Sequence, residues 1–318
     1  MNPLSRQTIR QGLLVGSIAV AGALLVRLAR MSPTDPLHWQ VLGQLTGIDF
    51  GDWPAIFYTG GGGDGEIFAT FAADPVGSGP SQLVLIPVYR YSRVGFSWLG
   101  WMFSLGNEEW VLPALFTVGL LSIALIGFIA GVVRERLGPR AWLLIVNPAV
   151  FFGFAGDTAE PLGLLFLTLA MLGTGLWASF ALGATRPTYA LALLGRWPLF
   201  LSTMTAALGV RIIAGLVFAT SIFQGADGAF GLPFTAFFTH PSLIGFLVLG
   251  SGLFTLAVGA MKRDLAWIVS GVLVVVLGDS VLANPINAIR AVGMLPVMWA
   301  FGPNWRPEVS PKMSLATA

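Results

Sequence analysis

Apolar residues in this chain fall into long runs separated by short polar, glycine-rich or proline-rich breaks. The first run extends from about Gly12 to Leu28, and others cover 110–133, 141–156, 160–181, 197–223, 242–261, 265–283 and 288–302. A helix crossing the hydrocarbon core of a bilayer needs about 20 mostly apolar residues. The pattern therefore predicts an all-α, polytopic membrane helix bundle of about eight spans. Arg6 and Arg10 precede the first run, and no small-residue cleavage site follows it, so it is expected to be a retained signal anchor. Between 93 and 105 the period changes. Val94, Trp98, Trp101, Met102 and Leu105 form one stripe, with Arg93, Ser97, Gly100 and Ser104 opposite. This predicts an amphipathic helix lying in the membrane plane rather than a ninth crossing.

Composition supports the same class. Of 318 residues, 55% are hydrophobic and 10% charged, and the mean hydropathy is +0.80. Soluble domains carry about 25% charged residues, so an ordinary soluble enzyme is excluded. With no cysteine, so are thiol catalysis, disulfides and Cys-ligated zinc. The formal charge of +2 is not concentrated in one sequence block, and nothing points to nucleic acid.

The few charges set a topology. With the N-terminus cytoplasmic, Arg6, Arg10, Arg134, Arg136, Arg140, Arg186, Arg196, Lys262, Arg263, Arg306 and Lys312 all fall on the cytoplasmic side. That is where the positive-inside rule wants them. Most acids fall on the other side: Asp35, Asp49, Asp52, Asp64, Glu66, Asp74, Glu108, Glu109, Asp157, Glu160 and Asp227. The expected organisation is one membrane domain, 1–305, whose long extracytoplasmic loop covers 30–109, with a short cytoplasmic tail at 306–318. A loop of that length is usually functional or disordered, and its aromatic content favours function.

Four groups of residues could carry chemistry. Gly60–Gly63 followed by Asp64-Gly65-Glu66 lets a flexible backbone bring two carboxylates close to a bulky ligand. Asp64 and Glu66 could serve as a general base or as oxygen ligands for Mg²⁺ or Mn²⁺. Tyr89, Arg90 and Arg93 would suit a phosphate at the headgroup boundary, although interfacial anchoring also favours these residue types. Asn147-Pro148 precedes the turn Gly156-Asp157-Thr158-Ala159-Glu160-Pro161, in which Pro161 fits the first turn of a helix and Asp157 or Thr158 could cap it. Arg211 and Arg290 sit in or beside apolar runs, where an ionisable group is expensive and usually faces a partner or polar cavity. His38 and His240 show no metal-ligand spacing.

The order of these motifs resembles the GT-C glycosyltransferases. It is most similar to bacterial membrane mannosyltransferase-like proteins related to the eukaryotic glycosylphosphatidylinositol mannosyltransferases. The resemblance rests on the signal anchor, Asp64-Gly65, Tyr89-Arg90 with Arg93, Asn147-Pro148, Asp157-Thr158-Ala159-Glu160-Pro161 and Arg211, and extends loosely to Arg290. It implies transfer of a sugar, mannose or another hexose or pentose, from a polyprenyl-phosphate carrier. The acceptor would be a cell-envelope glycan or glycolipid at the extracytoplasmic face of the cell membrane. It further implies that Asp64 is the base, that Arg90, Arg93 and Arg211 hold the phosphate, and that Asp157 and Glu160 orient acceptor, sugar or metal. A membrane protein partner is compatible with this reading. The same residues would also serve a transporter or flippase of a lipid-linked anion, or a scaffold that binds partners through its outer loop.

Overall fold

The computed structural model describes residues 5–30, 47–51, 53–57, 64–84, 87–223, 231–232 and 234–305. Parts of the predicted outer loop, including Gly60–Gly63 and Asp52, lie outside this set, as do Asp35, Asp227 and the tail with Arg306 and Lys312. The described residues form a bundle of helices. Its numbered helices are α1 Arg6–Arg30, α2 Asp64–Ala73, α3 Pro87–Tyr91, α4 Gly95–Phe103, α5 Val111–Leu137, α6 Pro148–Ala155, α7 Glu160–Leu172, α8 Leu176–Thr185, α9 Trp197–Val217, α10 Leu243–Lys262, α11 Leu265–Val275, α12 Pro285–Ala291 and α13 Met294–Phe301. Two stretches of 3-10 helix, Gly138–Leu144 and Pro187–Leu193, connect longer elements.

Four helical stretches among the described residues are long and apolar enough to cross a membrane: Arg6–Ala29, Glu108–Leu144, Trp197–Val217 and Leu243–Lys262. Each coincides with a predicted run. The other four runs are broken. The run 141–156 is 3-10 helix, then Asn147, then the short α6, because Pro148 can start a helix but not continue one. Asn147 closes this break by accepting the Ala149 amide at 3.1 Å and donating to the Gly293 carbonyl at 2.7 Å.

The run 160–181 is not one helix. Gly173 and Gly175 have φ of +79° and +114°, and they turn the chain between α7 and α8. At 13 residues, α7 spans about 20 Å, short of the roughly 30 Å of a hydrocarbon core. Such interruptions are tolerated where the backbone is enclosed by protein. Accordingly, Tyr189, Ala190, Ala192 and Leu193 of the following 3-10 stretch are at most 1% exposed.

Helices α1 and α5 pack through two matched glycine pairs. A Cβ on Gly127 would lie 2.7 Å from the Gly16 Cα, and one on Gly131 would lie 2.7 Å from the Gly12 Cα. Small residues four apart on each helix thus allow backbone contact, a common solution where lipid supplies no hydrophobic drive for association. The opposite face of α1 exposes Leu13, Leu14, Ile18 and Leu25.

The α4 helix has the predicted amphipathic division. Arg93, Ser97, Gly100 and Ser104 are buried against the bundle, whereas Trp98, Trp101, Met102 and Leu105 are exposed. Val94 departs from its stripe and is buried.

The bundle has two chemically distinct ends. At one, the Arg196 guanidinium donates to the Trp305 carbonyl, the Trp305 indole donates to the Met171 carbonyl at 2.9 Å, and Arg136 stacks over the Trp305 ring at 4.3 Å. Asn304 joins the same end by donating to the Lys262 carbonyl and to Asp264. Basic residues scattered along the sequence are therefore gathered in space. The other end carries the buried ion pairs described next.

Candidate functional site

Arg27, near the end of α1, is fully buried and ties three segments together. Its Nη1 pairs with Asp157 Oδ1 at 2.7 Å and donates to the Phe154 carbonyl at 2.5 Å, and its Nε donates to the Ile56 carbonyl at 2.5 Å. The guanidinium also lies over the Phe116 and Phe154 rings, 5.2 and 4.9 Å from their centroids. Asp157 itself adopts φ +52°. Non-glycine residues seldom take this conformation, and aspartate is among those that tolerate it. The expected capping role is not what the turn uses. The N-cap of α7 is Ala159, which makes no side-chain bond, while Pro161 does occupy the first turn. Asp157 is taken instead by the cation above it.

Glu160, with no exposed surface, carries a second pair of cations. Its Oε1 lies 2.8 Å from Arg186 Nη2 and 3.0 Å from Arg290 Nε. Arg290 also donates to Asn287 Oδ1 at 3.3 Å, and its carbonyl accepts the Tyr189 hydroxyl at 3.2 Å. Tyr189 in turn lies beneath the Arg186 guanidinium. This geometry corrects one assignment. The charge pattern placed Arg186 with Arg196 on the face opposite Glu160, but the α7–α8 turn returns the chain, so Arg186 meets Glu160 directly. The 3-10 stretch Pro187–Leu193 then separates Arg186 from Arg196.

Tyr89, Arg90 and Arg93 come from α3 and the turn after it. The Arg93 guanidinium stacks between Tyr89 and Phe68, at 5.2 and 5.5 Å from their ring centroids, and Arg90 lies 5.9 Å from the Tyr89 ring. Arg93 is buried and close enough to Glu160 to stabilise its negative charge. The Tyr89–Arg93 segment and the 157–160 turn thus belong to one cluster.

Asp64 opens α2, and its side chain lies outside the described set. The next residue is informative: a Cβ on Gly65 would lie 2.9 Å from the Gly156 carbonyl oxygen and 3.0 Å from the Asp157 Cβ. The start of α2 is therefore in contact with the Asp157 turn. Glu66 is half-buried in the same first turn, and its carbonyl accepts the Thr70 hydroxyl at 2.9 Å. Among the described residues, no three His, Asp or Glu side chains converge as metal ligands. Asp157 and Glu160 face arginines, so the described donors do not make a Mg²⁺ or Mn²⁺ cage, and no step below passes through a metal.

Arg211, on α9, is half-exposed and donates from Nε to the Ile222 carbonyl at 2.9 Å. This bond joins it to the loop that follows α9. Two cations of the cluster, Arg27 and Arg186, were not singled out from the sequence. Arg27 looks like a flank of the first apolar run, and Arg186 obeys the cytoplasmic charge pattern. The signal for Arg186 is Gly173-Thr174-Gly175 inside an otherwise apolar run.

A groove of about 230 Å³ opens beside this cluster. Its walls are chiefly apolar and include Pro148, Val248, Ile289, Val292, Leu295 and Trp299. Ile289 and Gly293, on either side of Arg290 in the chain, and Asn147 also line it, whereas Arg290 itself does not. No family model, curated protein or solved structure matches the chain.

Proposed function

We propose that the chain is a membrane glycosyltransferase that takes a sugar from a polyprenyl-phosphate carrier and passes it to a cell-envelope glycan or glycolipid. The observation that carries this reading is the buried cluster of Arg27, Arg93, Arg186 and Arg290 around Asp157 and Glu160, beside an apolar groove. A lipid-linked phosphate has the same two parts: an anionic head, which arginines recognise well, and a hydrocarbon tail.

In this reading the acceptor hydroxyl attacks the anomeric carbon. Asp64 takes the hydroxyl proton as the new carbon–oxygen bond forms. The bond from the anomeric carbon to phosphate breaks, and the phosphate leaves with the electron pair and an added negative charge. Arginines already held in place stabilise that charge without reorganising. Tyr89, Arg90 and Arg93 supply the contact surface nearest α2, with Glu66 and Arg211 as further binding groups. Glu160 acts on Arg186 and Arg290 rather than as a second base, because its carboxylate is already engaged by both.

The test is Asp64→Asn in membranes supplied with radiolabelled polyprenyl-phosphate sugars. The expected result is sugar transfer by the wild type and a loss of about 100-fold or more in the variant, the scale of general-base catalysis. Undiminished transfer by Asp64→Asn overturns the base assignment. Failure of the wild type with mannosyl, other hexosyl and pentosyl donors overturns the reading itself.

A further inference from the structure

Arg27 lies in the last turn of α1, at the far end of that helix from Arg6 and Arg10, and none of its surface is exposed. An ionisable group buried in an apolar helix is costly and marks a functional role by default. The cost is offset by three separate acceptors: the Ile56 carbonyl, the Phe154 carbonyl and the Asp157 carboxylate. The Phe116 and Phe154 rings close over the guanidinium.

Two of these acceptors flank one residue. Ile56 precedes Asp64 by eight positions in the chain. Its neighbourhood is docked on α5, since the Phe57 ring meets Phe116 edge-on at 5.0 Å and Trp53 meets Phe57 at 5.6 Å. On the other side, Gly65 follows Asp64 directly and is in contact with Gly156 and Asp157. One guanidinium therefore holds both the backbone that leads toward Asp64 and the turn on which α2 is seated.

We infer that Arg27 is a positioning residue for the transfer reaction: through the Ile56 carbonyl and Asp157 it fixes where Asp64 stands, without touching the substrate itself. The inference rests on the transferase reading with Asp64 as base. Displacing a reacting group by about 1 Å can cost about 100-fold in rate. The donor contacts proposed for Arg93, Arg186 and Arg290 come from other elements. The loss should therefore fall on kcat rather than on KM for the donor.

Arginine is required because one side chain must serve several acceptors at once. Lysine keeps the positive charge, but its single nitrogen cannot stand both at the Nε position beside Ile56 and at the Nη1 position beside Asp157. Arg27→Lys thus separates the countercharge for Asp157 from the tie to Ile56.

The test uses the purified full chain in detergent, with radiolabelled mannosyl, other hexosyl and pentosyl polyprenyl phosphates as donors and with amide hydrogen exchange as a second readout. Arg27→Lys is expected to lower kcat per folded molecule about 10- to 100-fold, with KM for the donor within about twofold of the wild type. Exchange should quicken in 55–57 and 65–73 and stay unchanged in 160–172. Should Arg27→Lys fail to fold, the Arg27→Met, Asp157→Asn double variant removes both buried charges together. Its kcat should lie about tenfold below that of Asp157→Asn alone. Wild-type kcat in Arg27→Lys overturns the positioning role. So does a kcat loss that only follows the loss of folded protein, unchanged exchange in 55–57 and 65–73, or a double variant as active as Asp157→Asn. A wild type inactive with every donor overturns the transferase reading itself, a result distinct from an active enzyme that is indifferent to Arg27.

Discussion

Gly65 and Asp157 touch so closely that a side chain at residue 65 has nowhere to go: a built Cβ falls 3.0 Å from the Asp157 Cβ and 2.9 Å from the Gly156 carbonyl oxygen. The helix that begins with Asp64 is thereby seated on the turn that Arg27 holds by its 2.7 Å ion pair. Gly65→Ala is expected to push α2 away from that turn. Overpacking of this kind costs about 1–3 kcal/mol, so thermal melting in detergent should report a modest loss of stability. Transfer activity should fall more than stability, because the displaced element carries the proposed base. A variant with wild-type transfer would show that the position of Asp64 is not critical.

Glu160 bridges Arg186 and Arg290 from two different parts of the chain. Glu160→Gln keeps the shape but leaves two buried arginines without their shared countercharge. Removing one partner of a buried pair costs about 3–5 kcal/mol, and that loss should be measurable by chemical or thermal unfolding. In the Glu160→Gln, Arg186→Met double variant part of the loss should be recovered, since fewer cations then lack a partner. Additive single and double effects would show that the 2.8 Å contact is not energetically coupled.

The long apolar elements and the outward face of α4 were readable from hydropathy because lipid exposure imposes a continuous or helical apolar pattern. The cluster was only partly readable. Asp157 and Glu160 stand out because acids are scarce in such a chain, and Arg290 because it lies beside an apolar run. Arg27 sits at the end of an apolar run and Arg186 follows the cytoplasmic charge pattern, so the burial of either is invisible without tertiary structure. The turn between α7 and α8 was missed for a related reason. Hydropathy averages over Gly173 and Gly175, whereas backbone conformation depends on them individually. The groove beside Ile289 combines helices distant in sequence and leaves no local signature.

Asp74 offers a pH-dependent test outside the apolar spans. It is buried and accepts the amides of Ser78, Gly79 and Ser81, at 3.0, 2.8 and 3.0 Å. Burial works against its charge, but these three amide bonds outweigh it, so its pKa falls below the ordinary 3.8. A carboxylate whose folded pKa is depressed stabilises the fold above its unfolded pKa, and that contribution is lost as pH falls through the folded value. Asp74→Asn removes the charge at every pH. Hydrogen exchange of the 74–82 segment should therefore be faster in the variant at neutral pH, and the difference should shrink as the solution is acidified below about 4. A difference independent of pH would mean that the charge contributes nothing to the loop.

The cysteine-free sequence makes the topology directly testable. Arg140 and Lys262 stand at the basic end, whereas Val76 and Leu83 are exposed in the loop that follows α2, which starts against Asp157 at the opposite end. Single cysteines in Arg140→Cys and Lys262→Cys should react with a membrane-impermeant maleimide only after the cytoplasmic side is opened. Those in Val76→Cys and Leu83→Cys should react from outside in intact spheroplasts. If 93–105 crossed the membrane, Arg140→Cys and Val76→Cys would label from the same side. That outcome would remove the in-plane assignment of α4. Opposite-side labelling would place Arg134, Arg140, Lys262 and Arg263 on the cytoplasmic side, where the positive-inside rule favours them.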